Sequence, residues 1–492
     1  MILRPVNARA HPPDRSLRLV AQGALSRVAG APLIGGNSVD LLIDARANFD
    51  AWLAAIRSAR ASVLLENYIF ADDELSREVR DALAERAAAG VRVCVVRDWL
   101  GSLGQSSENF WRVVRAAGGQ VRTYNPIRFA SPLGWLSRNH RKLLVVDSDV
   151  GFVSGVCVSA KWLGDPKRGI APWRDTGIAL RGPALRELAV AFADNWMRLG
   201  EGLPLDMPAL VDEPPARGEV NLRVVATLPS TTGLYRLDQM IAAMAQKSLW
   251  LTDAYFVGTS PYVQGLMSAA RDGVDVRLLV PGTSDLPGVG TLSRAGYRAL
   301  LEAGIRIYEW NGSMLHAKTA VADGRWARVG SSNLNIASWM GNCEIDVAIE
   351  DEPFAQRMQT QYEEDLRGAT EIVLSVRRTT KRFGREERKR GQAARSSRAA
   401  AGALRLANTV GAAVADRRVL ASAEGGVLLG GALVLSVVAG IALYWPRALA
   451  WPIAVFALWL ALSLIARAAT AARKNRAGPA GESPEPRRIQ KR

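Results

Sequence analysis

A chain of 492 residues, 49% hydrophobic and 22% charged, has room for more than one domain and for a large core. Its three cysteines, Cys94, Cys157 and Cys343, are odd in number and widely spaced, which argues against a disulfide framework or a thiolate zinc site. Histidine occurs only at His11, His140 and His316, so H-E-x-x-H and most histidine-based metal sites are excluded, and a chemistry without metal or cofactor is expected.

The net charge of +16 suggests nucleic acid until it is placed along the chain. Of 63 basic and 47 acidic residues, positions 377–418 hold 13 and 3, positions 467–492 hold 8 and 2, and the stretch between them holds one of each. Positions 1–376 therefore carry 41 of each sign and are neutral. A groove that tracks a phosphate backbone should be basic, so the neutral body argues against nucleic acid as its partner.

In chain order, the N-terminal segment (1–35) begins MILRPVNARAHPPDRS, which has no apolar h-region, so no secretory leader is expected and His11 should be solvated. A first α/β repeat is assigned to 36–205. Within it SVLLENYIF (62–70) predicts a strand, ELSREVRDALAERAAAG (74–90) a helix and VRVCVVRD (91–98) a strand, followed by AAGGQVRTYNP and NHRKLLVVD. The joint is EPPARGEV (213–220). A second repeat, 218–370, runs in the same order: SLWLTDAYF (248–256), helical VQGLMSAARDG, strand VDVRLLVPG, EAGIRIYEW and LHAKTAVAD. Strands alternating with amphipathic helices predict two α/β layers on parallel or mixed sheets.

Next come a basic juxtamembrane segment (377–420), the most apolar part of the chain (425–466) and a basic, low-complexity tail (467–492). GGVLLGGALVLSVVAGIALYW (425–445) and ALAWPIAVFALWLALSLIA (448–466) each have about the 20 residues that a membrane-spanning helix needs. A two-helix transmembrane hairpin is expected, with Trp445 at the interface and a small-residue face of Ala432, Ser436 and Gly440. Arginine-rich flanks at both ends place both termini, and with them the body formed by the two repeats, in the cytoplasm. The basic run before the hairpin suits anionic headgroups.

Each repeat contributes one copy of H-x-K-x4-D: His140, Lys142 and Asp147 in the first, His316, Lys318 and Asp323 in the second. On a strand, residues i and i+2 share a face, so each His and its Lys can reach one ligand together. Asp147 and Asp323 are candidates either for catalysis or for capping the turn that follows. Tyr68, Phe70, Tyr255 and Phe256 follow strand ends near the expected site, where aromatic residues are more often core than ligand contacts.

These motifs resemble the phospholipase D superfamily, and within it the bacterial cardiolipin synthases. The resemblance covers about residues 30–370 and includes AGAPLIGGNSVDLL, ENYIFADD, GVRVCVVRDWLGS, PWRDTGIALRGPA (172–184), DNW (194–196), GSSNLN (330–335) and NCE (342–344). It implies two similar repeats forming one pseudo-twofold catalytic unit. The second motif is complete, with Ser331, Asn333 and Glu344 in place, whereas the first has SGVC (154–157) where an asparagine is usual.

The implied chemistry is in-line displacement at phosphorus through a covalent phosphohistidine. One imidazole attacks and the other protonates the leaving oxygen, with different neighbours holding the two in opposite protonation states. The resemblance assigns attack to His140 and acid catalysis to His316. Lys142 and Lys318 would neutralise the non-bridging oxygens, Ser331 and Asn333 would add donors to them, and Asp175 and Glu344 would orient the histidines. The implied reaction joins two phosphatidylglycerol molecules into cardiolipin and glycerol on an anionic membrane. Hydrolysis to phosphatidic acid is the alternative, and a nuclease of the same superfamily a more distant one.

Overall fold

The computed structural model describes residues 15–127, 136–204, 207–211, 213–374 and 418–420, with parts of 433–465. Helix α1 (Arg15–Ala29) precedes the first repeat, which comprises β1 (Ile34–Ile43), α2 (Asp44–Ser58), β2 (Ser62–Asn67), α3 (Glu74–Ala88), β3 (Arg92–Asp98), α4 (Glu108–Ala116), β4 (Gln120–Tyr124), β5 (Leu143–Val146), β6 (Val150–Ser154), β7 (Thr176–Arg181) and α5 (Leu185–Met197). Short α6 (Pro208–Val211) leads to the second: β8 (Val220–Thr227), α7 (Gly233–Met244), β9 (Ser248–Thr252), α8 (Ser260–Arg271), β10 (Asp275–Pro281), α9 (Pro287–Ala295), α10 (Tyr297–Glu302), β11 (Arg306–Trp310), β12 (Thr319–Ala322), β13 (Trp326–Gly330), β14 (Glu344–Glu350), α11 (Glu352–Arg367) and β15 (Ala369–Leu374). A three-residue strand, β16 (Arg418–Leu420), pairs with β15.

The strand order exposes the duplication. The first repeat runs β4-β3-β2-β5-β6-β7-β1 and the second runs β8-β14-β13-β12-β9-β10-β11, so the two are mirror-ordered about the β1/β8 junction. In each, three parallel strands (β2, β3, β4; β9, β10, β11) are followed by antiparallel pairings. β2 and β5 are buried along their whole length, which explains why Val63–Leu65 of the one and Leu143–Val146 of the other are continuous apolar runs instead of alternating ones.

Three large cores hold this arrangement. Helices α2, α3 and α4 cover the outer face of the first repeat. Helices α7, α8 and α10 do so in the second, joined by Leu25 and Ala29 of α1, which thus packs on the repeat farther from it in sequence. A central core draws Leu143 and Ile178 from one repeat and Val329 and Ile345 from the other, sealed by Phe192 of α5 and Phe354 of α11. Both repeats share this core, so neither half is a separate body.

Both repeats, residues 125–136 of the first aside, fall in one compact unit; the described parts of 429–492 fall in a second. In the latter, described stretches at 436–444 and 450–459 are helical, and among the described residues no helix is long and apolar enough to cross a membrane. The hairpin expected over 425–466 lies partly outside the described residues. So do His11, the tail and nearly all of the basic segment.

Candidate active site

His140 and His316 are brought together by backbone exchanges between the repeats. His140 N–H donates to Cys343 O at 2.9 Å and Cys343 N–H to Arg138 O at 2.8 Å. By the same pattern, His316 N–H donates to Arg174 O at 2.7 Å and Arg174 N–H to Met314 O at 2.8 Å. Each H-x-K segment is therefore zipped to the strand entrance of the opposite repeat. The motifs were expected on strands. The ladders start only afterwards, at Leu143 and Thr319, and the histidines and lysines occupy extended chain just ahead of them. That extended backbone keeps the alternation. Arg141 is buried on the other side, donating to Ala191 O and Thr227 O.

The exchanges set each imidazole against a carboxylate of the other repeat. His140 Nδ1 lies 2.8 Å from Glu344 Oε2, and His316 Nδ1 lies 2.8 Å from Asp175 Oδ2. With Nδ1–H directed at a carboxylate, Nε2 is left for chemistry. Burial pushes both imidazoles below their ordinary range: His140 is lowered, and His316, with Lys318 beside it, falls to about 4. Against burial, the neighbouring histidine and lysine hold Glu344 below the usual carboxylate range and Asp175 down at about 2. Opposite protonation states were expected for the two histidines. In this site both are shifted toward the neutral form, chiefly by burial, to which Lys142 and Lys318 add and against which Glu344 and Asp175 pull.

Lys142 and Lys318 are fully buried; Lys142 Nζ donates to His140 O at 2.7 Å, and Lys318 Nζ donates to His316 O and lies 2.9 Å from both ring nitrogens. Burial lowers both lysines, Lys318 to about 8. Two aromatic rings flank them: Tyr68 meets His140 edge-on at 5.0 Å and Tyr255 meets His316 at 5.9 Å. These tyrosines belong to the site, while Phe70 and Phe256 are core. The signal in the sequence was their recurrence just after equivalent strands.

Ser331 serves Glu344 instead of facing a phosphate. Its Oγ donates to Glu344 Oε2 at 2.6 Å and accepts from Ile345 N–H at 3.0 Å, so its proton is engaged. Asn333 is buried, with an Oδ1 that has no protein partner among the described residues. The first repeat solves the same problem differently. Gly155 stands where Ser331 would, and a Cβ there would come within 2.1 Å of Asp175 Oδ1. The second donor to Asp175 is instead Trp162 Nε1, at 2.9 Å. Nothing in the sequence marked Trp162 for this position. Cys157 takes the place of Asn333, buried, with its thiol pushed up by burial.

Asp147 and Asp323 sit at the opposite ends of β5 and β12 from the histidines. Both adopt positive φ, 52° and 53°. The Asp147 carboxylate accepts from the N–H groups of Arg60, Ala61 and Ser62 at 2.6–2.8 Å, and that of Asp323 from Gln246, Lys247 and Ser248 at 2.7–3.2 Å. The geometry gives each a turn and the start of a neighbouring strand to hold, and no reach toward the imidazoles.

A family model described as "Cardiolipin synthase, PLD-like domain" matches residues 52–161 and 238–366, one copy per repeat. Cardiolipin synthase A of Pseudomonas aeruginosa is 34% identical over 367 residues, 73% of each chain. The chain belongs to the phospholipase D superfamily, in its cardiolipin synthase branch. Cardiolipin synthase A of Pseudomonas fluorescens is 32% identical over 370 residues, 73% of this chain and 75% of that one. The crystal structure of a phosphatidylserine synthase from Haemophilus influenzae superposes with a TM-score of 0.54 at 15% identity, covering 71% of this chain and 91% of that chain, and shows the same fold. As a cardiolipin synthase-like enzyme, the chain has both superfamily motifs within one continuous core.

Proposed function

We propose that this enzyme transfers a phosphatidyl group from one phosphatidylglycerol to the glycerol hydroxyl of another, giving cardiolipin and free glycerol. The observation that carries the reading is the reciprocal pairing of His140 with Glu344 and His316 with Asp175 across the two repeats. That pairing supplies two imidazoles with fixed tautomers, as an in-line displacement at phosphorus requires.

In the first step, His140 Nε2 attacks phosphorus while the bond to the headgroup oxygen breaks, and His316 gives that oxygen its proton. In the second, His316 takes the proton of the acceptor hydroxyl, whose oxygen attacks phosphorus as the P–N bond breaks. His316 must be protonated to begin. The phosphodiester anion supplies the means: seated between Lys142 and Lys318, it offsets the ammonium charges that add to burial in lowering the imidazole. The lysines stabilise charge on the non-bridging oxygens, to which only the NH2 end of the buried Asn333 carboxamide could donate. Asp147 and Asp323 hold the strands and take no part in the transfer.

The apolar segments 425–445 and 448–466 form a membrane hairpin in this reading, and the catalytic unit faces the cytoplasm above an anionic inner membrane. Supporting it, the described helical stretches expose Leu443, Trp451 and Ile453 at 80%, 67% and 67%, which is unfavourable in water and natural in lipid.

The test is product analysis after mixing purified protein with phosphatidylglycerol vesicles. Cardiolipin with glycerol in equal amounts is the expected outcome. Phosphatidic acid as the sole phospholipid product would make water the acceptor and overturn the transferase reading.

A further inference from the structure

The exposed apolar residues of the catalytic unit are not scattered. β3 and β6 run in the same sense as β2, and β10 and β13 in the same sense as β9. The connections that follow them, 99–107, 155–175, 282–296 and 331–343, meet around the site: Asp98 accepts from Leu100 N–H and from Asn139 N–H, Trp162 lies against His316, Asp285 accepts from Tyr255, and Ser331 donates to Glu344. Among the described residues of this unit, seven of the eleven exposed large hydrophobics are in those four connections, among them Leu103 (56%), Leu286 (50%), Leu292 (54%) and Ile336 (60%). Residues 99–107 and 331–343 contain no charged residue at all. The turns at the far ends of the strands are charged, with Arg60, Asp149, Arg181, Lys247, Asp272 and Arg325. Two segments of that length without charge, set against turns of ordinary polarity, point to an apolar partner. The exposed charge of the rim lies in the other two connections, where Lys161, Lys167 and Arg168 outnumber Asp165 and Asp285, Lys161 pairing with Asp285 at 3.6 Å.

We propose that this rim is a bilayer-docking surface: the four connections seat in the headgroup and acyl boundary of an anionic phospholipid membrane, so that the phosphodiester enters the site directly from the lipid phase. The proposal rests on the phosphatidyl-transfer reading above and adds where the lipid comes from. Charge complementarity selects this partner, since two uncharged apolar segments beside two connections in which cations exceed acids match acyl chains under anionic headgroups. The site it surrounds acts on a phosphate, the group at that same depth.

The experiment uses the full chain and two substrates: long-chain phosphatidylglycerol in vesicles, and dihexanoyl phosphatidylglycerol below its micelle concentration. The variant combines Leu103→Asp, Leu286→Asp and Ile336→Asp, none of which touches the histidines or lysines. Turnover of the soluble lipid should stay within about twofold of wild type while turnover on vesicles falls about tenfold or more. Unchanged vesicle turnover, or equal losses on both lipids, would overturn the rim.

A second measurement does not depend on that variant folding or on the reaction. A fluorophore placed at Leu103 or Ile336 in reconstituted protein should be quenched by brominated acyl chains, and one at Val113, on the outer face of α4, should not. Absence of quenching at the rim would sink the proposal even if the wild type proves active, while an inactive wild type with a quenched rim would count against the transfer reading alone.

Discussion

His140 Nδ1 and Glu344 Oε2 are 2.8 Å apart, although the two residues are separated by 204 positions and belong to different repeats. The pair fixes which imidazole nitrogen carries the proton. Glu344→Gln keeps the shape and removes the charge, so the tautomer with Nε2 free is no longer favoured. Turnover should fall about 10²- to 10⁴-fold with the thermal midpoint nearly unchanged. Steady-state kinetics alongside calorimetry check this; a loss of activity that merely tracks a loss of stability would mean that Glu344 is a structural residue.

The division of labour between the histidines predicts a trapped intermediate. With phosphatidyl-p-nitrophenol, whose leaving group needs no acid, His316→Ala should form the phosphatidyl adduct on His140 and then stall, because the acceptor has no base. Intact mass spectrometry should find one phosphatidyl addition in His316→Ala and none in His140→Ala. The reverse pattern would exchange the two roles.

Lys318 sets an upper pH limit. Burial brings it to about 8, from an ordinary value of 10.5, so its positive charge is present below that pH and is lost as pH rises through it. With charge stabilisation of the phosphate lost, kcat/KM should decline above about pH 8. Lys318→Arg should remain charged across the range and remove the decline, at whatever absolute rate its bulkier head permits. A profile for wild type that stays flat to pH 10 would contradict this.

Asp147 should report on folding instead of chemistry. Its carboxylate accepts three backbone N–H groups at the start of β2. Asp147→Ala should cost about 2–4 kcal/mol of stability, with kcat of the folded protein close to wild type. Urea unfolding and active-site-normalised turnover separate the two. A thousandfold lower kcat in fully folded protein would return Asp147 to the catalytic set.

The sequence by itself determined the duplication, the strand and helix order within each copy, and the identity of the four central groups, His140, Lys142, His316 and Lys318. These are local matters: apolar runs, amphipathic periods and a short motif spaced along one extended segment carry them, and a repeat read twice corrects its own noise. It also marked Glu344 and Asp175, though only through family likeness, since nothing local ties an acid to an imidazole some two hundred or 141 residues away.

Only the tertiary structure decided what those groups do to one another. The reciprocal zipping of His140 on Cys343 and His316 on Arg174 arises where chain ends of different repeats meet, and no periodicity encodes such a meeting. The use of Ser331 for Glu344, and of Trp162 for Asp175 beside a mandatory glycine at position 155, depends on side chains filling one another's space. So does the lowering of both imidazoles. Proton affinity follows from burial and from the sum of nearby charges, which exist only once the two halves have closed on each other.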